Sequence, residues 1–455
     1  MASIQDLPGE VLHPIFDFLT PQQLYSLCLV CKRFRGVAEP HLYFKIQMMW
    51  DSSSTPPIAA LLRSILYRPH LASHVRTLVL NGNEDFYRDD FGGRLPPKMK
   101  VDDSQMELFE KAVQTSHTPI NKELWICEMR AGTMDAFVTM LLSLLSSLRS
   151  LHIYRNFAKE SRILGMFLRS CLCAVTTKPA IEAYRFQQLR EVSFVTACDE
   201  ARNSVVHNTA DVLPLFYLPA LQHLSVSISN PVTFSWPTKE PDLSRLISLD
   251  LTSIREAHLS HILKQTKALQ SLRWEWLYDD NIPDQFNTTT IDLDQLCSAL
   301  SHVRHTLTEL NIGARAVAED GGAALYLPPL NLQGSLKAIR DFDRLRVFQA
   351  PYALLLGFSP DDARQLEDAL PRCVRHVTIS VDLETYEGDE WAVDEIIAAI
   401  RAWLENYPQS TPDLTGLTLS LRKTRWGQSW RRDKVSEVEA TCATLGIGFD
   451  EHLQS

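Results

Sequence analysis

An apolar pattern of fixed spacing recurs along most of this chain. Each copy has an apolar residue, a second one three positions later and a third one two positions after that, as in Val75, Leu78 and Leu80. The last two positions are separated by a single residue, which is the period of a β-strand with one buried face. The copies begin at Val75, Leu148, Leu189, Leu221, Leu246, Leu269, Leu307, Leu345, Val374 and Leu414, and a weaker copy holds Leu124 and Ile126.

Helical patterns separate these predicted strands. They occur within residues 58–67, 133–145, 161–172, 259–266, 293–303, 361–370 and 393–404. A strand and a helix repeated this often are typical of a leucine-rich-repeat solenoid, in which units stack because none closes its own core. The asparagine that commonly follows the strand is present only at Asn83 and Asn156, and the spacing is irregular. We therefore predict a degenerate leucine-rich-repeat-like array. A doubly wound sheet alternates similarly, but it seldom has this many strands and usually has a glycine-rich turn that is missing here.

The first fifty residues have a different pattern, which predicts three short helices. Apolar residues at helical spacing are Leu7, Val11, Leu12, Ile15, Phe16 and Leu19. Pro14 interrupts this stripe and predicts a kink or a late helix start. Thr20, Pro21 and Gln23 predict a capped second helix, and a third is expected at about residues 32–38.

These helices carry more apolar residues than a segment of their size can bury. Three helices in so short a stretch form a core that is marginal by itself. We therefore expect the excess apolar surface to contact a helical surface of a partner.

The segment contains Leu7-Pro8, Glu10-Val11-Leu12, Ile15-Phe16, Val30-Cys31-Lys32-Arg33-Phe34-Arg35, Pro40, Leu42 and Tyr43. With these residues at these spacings, it closely resembles the F-box. The resemblance implies binding to a Skp-family adaptor and, through it, to a cullin-RING ubiquitin ligase. Carried over by position, the residues that touch or shape the adaptor interface are Leu7, Pro8, Ile15, Leu24, Leu27, Val30, Cys31 and Phe34. A generic helical cap on the next domain is the alternative.

The predicted fold class is α+β or α/β, with a small three-helix F-box followed by an irregular leucine-rich-repeat-like solenoid. The predicted domains are residues 1–48 for adaptor binding, 49–70 as a linker and connecting helix, and 71–455 as the solenoid that binds a protein substrate. With these parts the chain resembles fungal-type F-box proteins.

The residues between the strand leucines should line the concave face of the solenoid. Most of them are small and polar, whereas aromatic and arginine side chains are the usual energetic centres of interfaces. The candidate substrate contacts are Trp125, His152, Tyr154 and Arg273. The alternative is that these are ordinary strand residues partly covered by loops.

Residues 421–434 combine basic and tryptophan side chains. Arg425, Trp426, Trp430 and Arg431 suit binding of an acidic or phosphorylated segment. A solvated rim, or a strand over the end of the solenoid, is the alternative. The acidic residues 382–395 are a possible internal partner for this basic stretch.

The sequence offers no recognisable active site. It has no nucleophile elbow, phosphate-binding loop or dinucleotide fingerprint, and the Cys28/Cys31 pair has no second ligand pair for a metal, which favours packing. We expect no cofactor, no metal and no catalytic role. An enzyme with a divergent site is a further alternative.

Charge and targeting signals narrow the class of partner. The formal net charge is -10, which disfavours nucleic acid, and neither a secretory signal nor a membrane-spanning stretch is visible. We expect an intracellular protein, cytoplasmic or nuclear, without a membrane partner. The preferred function is substrate recognition for ubiquitin-dependent degradation. The alternative is a scaffold that acts outside ubiquitin transfer.

Overall fold

The structure, a computed structural model, divides into two units. It describes residue 4 and residues 7–51, 55–82, 98–118, 120–159, 161–173, 186–196, 208–229, 231, 233–280, 287–317, 328–383, 391–424, 427–428, 430 and 432–454. Unit 1 comprises residues 1–197, 210–221 and 236–239, and unit 2 comprises residues 198–209, 222–235 and 240–455.

Unit 1 begins with three helices and continues with strands and helices. Its helices are α1 (Gly9–Phe16), α2 (Pro21–Val30), α3 (Lys32–Phe44), α4 (Ile58–Tyr67), α5 (Asp103–Thr115), α6 (Lys122–Arg130), α7 (Met134–Leu144), α8 (Asn156–Lys159) and α9 (Arg162–Leu172). Its strands are β1 (Lys45–Trp50), β2 (Thr77–Gly82), β3 (Ser150–Tyr154) and β4 (Glu191–Val195). Helix α10 (Thr209–Val212) spans a sequence boundary between the units, and 3₁₀ helices cover Pro69–His74 and Leu213–Tyr217.

The strands of unit 1 form a parallel sheet in the order β1-β2-β3-β4. In its first row, Lys45 lies beside Thr77, Thr77 beside Ser150, and Ser150 beside Glu191. Alternate residues are buried, as Leu78 and Leu80 are in β2, because successive side chains of a strand point to opposite faces. One face of this sheet is therefore apolar and the other is polar and partly exposed.

Strand β1 crosses the predicted domain boundary at residue 48. It follows α3 without a linker, and the Arg76 amide donates to the Phe44 carbonyl at 2.9 Å to begin its pairing with β2. Met48 and Trp50 are buried, and the Trp50 ring packs edge-on against Phe157. A single strand beside a helical segment is a weak sequence signal, so the apolar pattern does not predict it.

Unit 2 contains most of the remaining strands. They are β5 (His223–Ser227), β6 (Ser248–Thr252), β7 (Ser271–Asp279), β8 (Thr290–Asp292), β9 (Glu309–Val317), β10 (Asn331–Gln333), β11 (Val347–Pro351), β12 (His376–Ser380), β13 (Gly416–Thr424), β14 (Gly427–Gln428) and β15 (Gly448–Gln454). Its helices are α11 (Glu256–Leu263), α12 (Leu293–Leu300), α13 (Tyr352–Leu356), α14 (Leu366–Ala369), α15 (Val393–Glu405), α16 (Tyr407–Ser410) and α17 (Arg432–Leu445), with 3₁₀ helices at Ser301–Val303, Leu336–Asp341 and Pro360–Asp362.

The main sheet of unit 2 is almost entirely parallel. Its strands run in the order β5-β6-β7-β9-β11-β12-β13, β15 pairs in parallel with β13, and the short β14 pairs antiparallel with the end of β13. Strands β8 and β10 form a separate parallel pair. The chain after the first three helices is thus a mixed α/β structure built on parallel strands.

The ten strong copies of the apolar pattern are confirmed as strands, from β2 to β13. The strand predicted at Leu124 and Ile126 is wrong, because these residues lie in α6. The Asn121 side chain caps this helix by accepting from the Leu124 amide, and Trp125 and Met129, four residues apart, form its buried face. The predicted helix at residues 361–370 is broken, since the chain there forms a 3₁₀ helix and then the short α14.

Candidate docking surface and polar sheet faces

The first three helices share a small apolar core. Its buried members are Leu12, Phe16, Leu24, Cys28, Phe34 and Ala38, and the partly buried members packed against them are Leu7, Leu19, Leu27, Cys31, Val37 and Leu42. Phe16 and Phe34 meet edge to face, with ring centroids 6.0 Å apart. The core joins all three helices, so the segment can present fixed side chains on its outer surface.

Local capping sets where α2 and α3 begin. The Thr20 amide donates to Gln23 Oε1 at 2.8 Å and the Gln23 amide donates to Thr20 Oγ1 at 3.4 Å, which confirms the predicted capping box. The Phe34 amide donates to Cys31 Sγ at 3.4 Å, so this thiol caps α3. Both Cys28 and Cys31 are free, and burial raises the pKa of Cys28. Pro14 lies within α1, so the predicted late start of that helix is wrong.

The outer surface of these helices carries large apolar side chains. On α1 and just beyond its end, Val11, Ile15 and Phe18 lie at spacings of four and three residues, and 89% of Phe18 is exposed. Such spacing places the three side chains along one helix face. We call these residues the α1 stripe. Tyr25, Leu29 and Val30 on α2 are also exposed.

The predicted adaptor residues divide into three groups. Pro8, Ile15 and Val30 are exposed; Leu7, Leu27 and Cys31 are partly buried; Leu24 and Phe34 are buried in the core. The last two can shape the surface without touching a partner. Sequence reasoning missed Val11, Phe18, Tyr25 and Leu29 as exposed apolar residues. The spacing of Val11, Ile15 and Phe18 could have separated the exposed stripe from the buried Leu12 and Phe16.

Charged groups fix the three helices to one another and to the rest of unit 1. Arg33 donates to the Leu7 carbonyl at 2.5 Å and Arg35 donates to the Cys28 carbonyl at 2.9 Å. The Glu39 carboxylate of α3 accepts from the Arg68 guanidinium beyond α4, and this hydrogen bond raises the pKa of Arg68.

A hydrogen-bonded chain also links α1 to α3. His41 Nδ1 lies 2.9 Å from Asp17 Oδ1, and His41 Nε2 lies 2.8 Å from His13 Nδ1. This chain joins the surface of α1 that lies away from the α1 stripe to α3. It holds α1 in place while leaving the stripe open.

The polar face of the unit 1 sheet brings together two of the predicted substrate contacts. His152 Nδ1 lies 3.1 Å from Ser193 Oγ and 3.3 Å from the Tyr154 hydroxyl, and the two rings stack. His152 Nε2 lies 3.9 Å from Glu191 Oε1. Burial lowers the pKa of His152, and the Glu191 carboxylate partly offsets this effect. The cluster offers an imidazole, hydroxyls and one carboxylate for polar contacts.

Trp125, predicted as an exposed contact, is a core residue. Only 1% of it is exposed, and its indole Nε1 donates to the Ala136 carbonyl at 2.9 Å. Because α6 buries this side chain against α7, it cannot contact a protein partner.

The polar face of the unit 2 sheet carries the third predicted contact, Arg273. One row crosses the strands in register through Ser225, Asp250, Arg273, Asn311, Gln349, Thr378, Thr418 and Asp450. Ser225 donates to Asp250 at 3.1 Å and Asn311 donates to Gln349 at 3.1 Å, while Arg273 is exposed. Burial raises the pKa of Asp250, and the neighbouring Arg273 partly opposes this. Arg273 thus remains available to a partner.

The basic stretch near residue 430 is described only in part. Arg425, Trp426 and Arg431 lie outside the described residues. Trp430 is 1% exposed and packs near Tyr352, with ring centroids 6.3 Å apart, so it is a core residue. Lys434 lies 2.6 Å from Asp394, an ion pair of the kind expected between the basic and acidic stretches.

Among the described residues, no group of three histidine, cysteine or acidic residues is arranged to hold a metal ion. No helix in the described ranges has the length and apolar character needed to span a membrane.

Comparison with known families bears on the first three helices. Residues 4–48 match the F-box-like family. The match includes all of α1, α2 and α3, their shared core and the α1 stripe. No curated protein matches the chain.

Proposed function

We propose that this chain is the substrate-recognition subunit of an SCF-type ubiquitin ligase. F-box-like domains typically bind Skp-family adaptors, and residues 4–48 form such a domain. The observation that carries the proposal is the α1 stripe: Val11, Ile15 and Phe18 are exposed on a domain whose core is already filled by other side chains. Exposed apolar residues in such a row mark a protein interaction surface.

In this proposal the remainder of the chain holds a protein substrate. The parallel strands within residues 71–455 are taken as leucine-rich-repeat-like units, with His152, Tyr154 and Arg273 on their polar faces. The chain contributes no catalytic residue. It raises the effective concentration of substrate lysines near a ubiquitin-loaded enzyme, and this proximity supplies the rate gain.

Direct attachment of the F-box-like domain supports this arrangement. Helix α3 continues into β1 without a linker, and Glu39 binds Arg68. A flexible joint would spread the substrate over many positions and reduce the proximity effect. Within unit 1, the docking surface and the first strands are therefore held in a fixed relation.

Affinity purification from cells that express the tagged full chain tests the proposal. Ile15→Asp/Phe18→Asp should abolish co-purification of a Skp-family adaptor and a cullin, because charges replace the apolar contacts. Tyr67→Asp is the matched control, since Tyr67 is 71% exposed but lies outside residues 4–48. Adaptor binding that persists in the double variant contradicts the docking surface.

Two further results separate the proposal from its alternative. Adaptor without cullin in the purified complex favours a scaffold that acts outside ubiquitin transfer. Adaptor with cullin, together with proteins that accumulate when residues 4–48 are deleted, supports substrate recognition for degradation.

A further inference from the structure

Three arginines stand side by side at one edge of the unit 1 sheet. Arg76, Arg149 and Arg190 are the residues immediately before β2, β3 and β4. The Arg149 amide donates to the Arg76 carbonyl at 2.8 Å, and the Arg190 amide donates to the Arg149 carbonyl at 2.9 Å. Adjacent strands are about 4.8 Å apart, so the row spans roughly 10 Å. We call these residues the arginine row.

The row presents unneutralised charge. Arg149 and Arg190 are exposed, and Arg76 is partly exposed and donates to the Ser73 and Ser147 carbonyls. In the described part of the chain none of the three forms an ion pair. The neighbouring Glu191 is engaged elsewhere, since it accepts from Ser150 and lies 3.9 Å from His152.

A row of arginines without ion pairs is unusual for this chain. It has 55 acidic residues against 45 lysines and arginines, so carboxylates are in excess. In unit 2, Arg346 is the residue immediately before β11, as Arg76 is before β2. Its guanidinium donates to the Cys373 carbonyl, just as the Arg76 guanidinium donates to the Ser147 carbonyl. Arg346, however, is neutralised by Asp413 at 3.2 Å. The equivalent site in unit 1 has no such carboxylate among the described residues.

Like charges on neighbouring strands repel, and the repulsion is relieved when an anion binds. Burial lowers the pKa of the nearby His74, the charges of His70 and Arg76 lower it further, and the Glu39 carboxylate partly opposes them. We propose that the arginine row binds an Asp/Glu-rich segment of a protein partner.

Geometry and charge favour an acidic protein segment over nucleic acid. A row of roughly 10 Å matches about three residues of extended chain, whose first and third side chains point to the same side. Carboxylates at these two positions can each form a bidentate pair with a guanidinium group of the row. A nucleic acid would extend past the row and meet a chain whose formal net charge is -10. The row lies outside residues 4–48, so binding here is independent of the adaptor contact.

Fluorescence anisotropy with the purified full chain at low salt tests this proposal. The probe is a fluorescein-labelled peptide of alternating Glu and Ser, compared with the same peptide carrying Gln for Glu. Wild type should prefer the Glu peptide, and Arg149→Gln/Arg190→Gln should weaken its binding about tenfold, because two charged contacts are lost. Arg149→Lys/Arg190→Lys keeps the charge without the planar fork and should give an intermediate affinity.

Arg372→Gln/Arg375→Gln is the matched control. It removes the same charge from exposed arginines of unit 2, and Arg375 stands before β12 as Arg149 stands before β3. Equal weakening by this control overturns the proposal, as does equal binding of the two peptides to wild type. The third outcome concerns a DNA duplex. If wild type binds the duplex more tightly than it binds the Glu peptide, and Arg149→Gln/Arg190→Gln weakens duplex binding, the row binds nucleic acid and the proposal is wrong. Circular dichroism checks that each variant is folded.

Discussion

Glu39 on α3 and Arg68 beyond α4 form the ion pair that ties the F-box-like domain to the next part of unit 1. The Glu39 side chain is only 13% exposed, whereas Arg68 is 43% exposed. His70 approaches the same carboxylate at 3.9 Å. This single carboxylate therefore lies against both the Arg68 guanidinium and the His70 imidazole, and its loss leaves the Arg68 charge without this partner.

Glu39→Ala should lower the free energy of unfolding of the chain by about 1–2 kcal/mol, which is the range of a partly exposed charged hydrogen bond. Hydrogen exchange should show faster exchange in α3 and in the 3₁₀ helix Pro69–His74. Glu10→Ala is the control, because Glu10 is exposed and forms no ion pair among the described residues. Equal effects of the two variants would contradict an anchoring role for Glu39.

Asp135 on α7 should stabilise the start of α9. It is 3% exposed, and its carboxylate accepts from the amides of Ile163 at 2.6 Å and Leu164 at 3.1 Å, at the start of α9. Asp135→Ala leaves these buried donors without an acceptor and should cost about 2–3 kcal/mol. Chemical denaturation measures the loss. Asp103→Ala, at the exposed start of α5, should change stability far less.

Asp211 should make the chain less stable as pH rises. Burial raises its pKa to about 6, although Arg169 and Arg162 partly oppose this. Because the folded state favours the protonated acid, stability falls as pH rises from about 4 to about 6 and stays lower above that range. Asp211→Asn should therefore stabilise the chain at pH 7 by about 1–2 kcal/mol and have little effect near pH 4. A pH series of denaturant titrations decides this, and a stabilisation that is the same at both pH values would refute it.

Two helical glycines should respond in opposite ways to alanine. A Cβ on Gly165 of α9 would lie 2.2 Å from Asp211 Oδ1, whereas a Cβ on Gly36 of α3 would meet nothing within 4 Å. Gly36→Ala should stabilise the chain by about 0.5–1 kcal/mol through helix propensity. Gly165→Ala should destabilise it by about 1–3 kcal/mol through overpacking. Thermal unfolding of the two variants in parallel tests both signs.

The candidate site was predictable as far as its signals are local. The capping box of Thr20 and Gln23 and the apolar spacing of the first helices depend on residues within a few positions of each other, and both appear in the structure. The assignment of single residues to the surface was less successful. Leu24 and Phe34 lie in the core, while Phe18, which is not among the predicted adaptor residues, is the most exposed large apolar residue of the chain's described part.

The sequence by itself determined the F-box-like helices and the ten strands that follow the apolar pattern, because helix caps and period-two burial are short-range properties. Only the tertiary structure decided the rest. Trp125 became a core residue because α7 supplies the Ala136 carbonyl for its indole, and β1 became a strand because β2 pairs with it. The arginine row exists because β2, β3 and β4 bring together residues from distant parts of the chain. Burial and charge neutralisation depend on such neighbours, which no local pattern records.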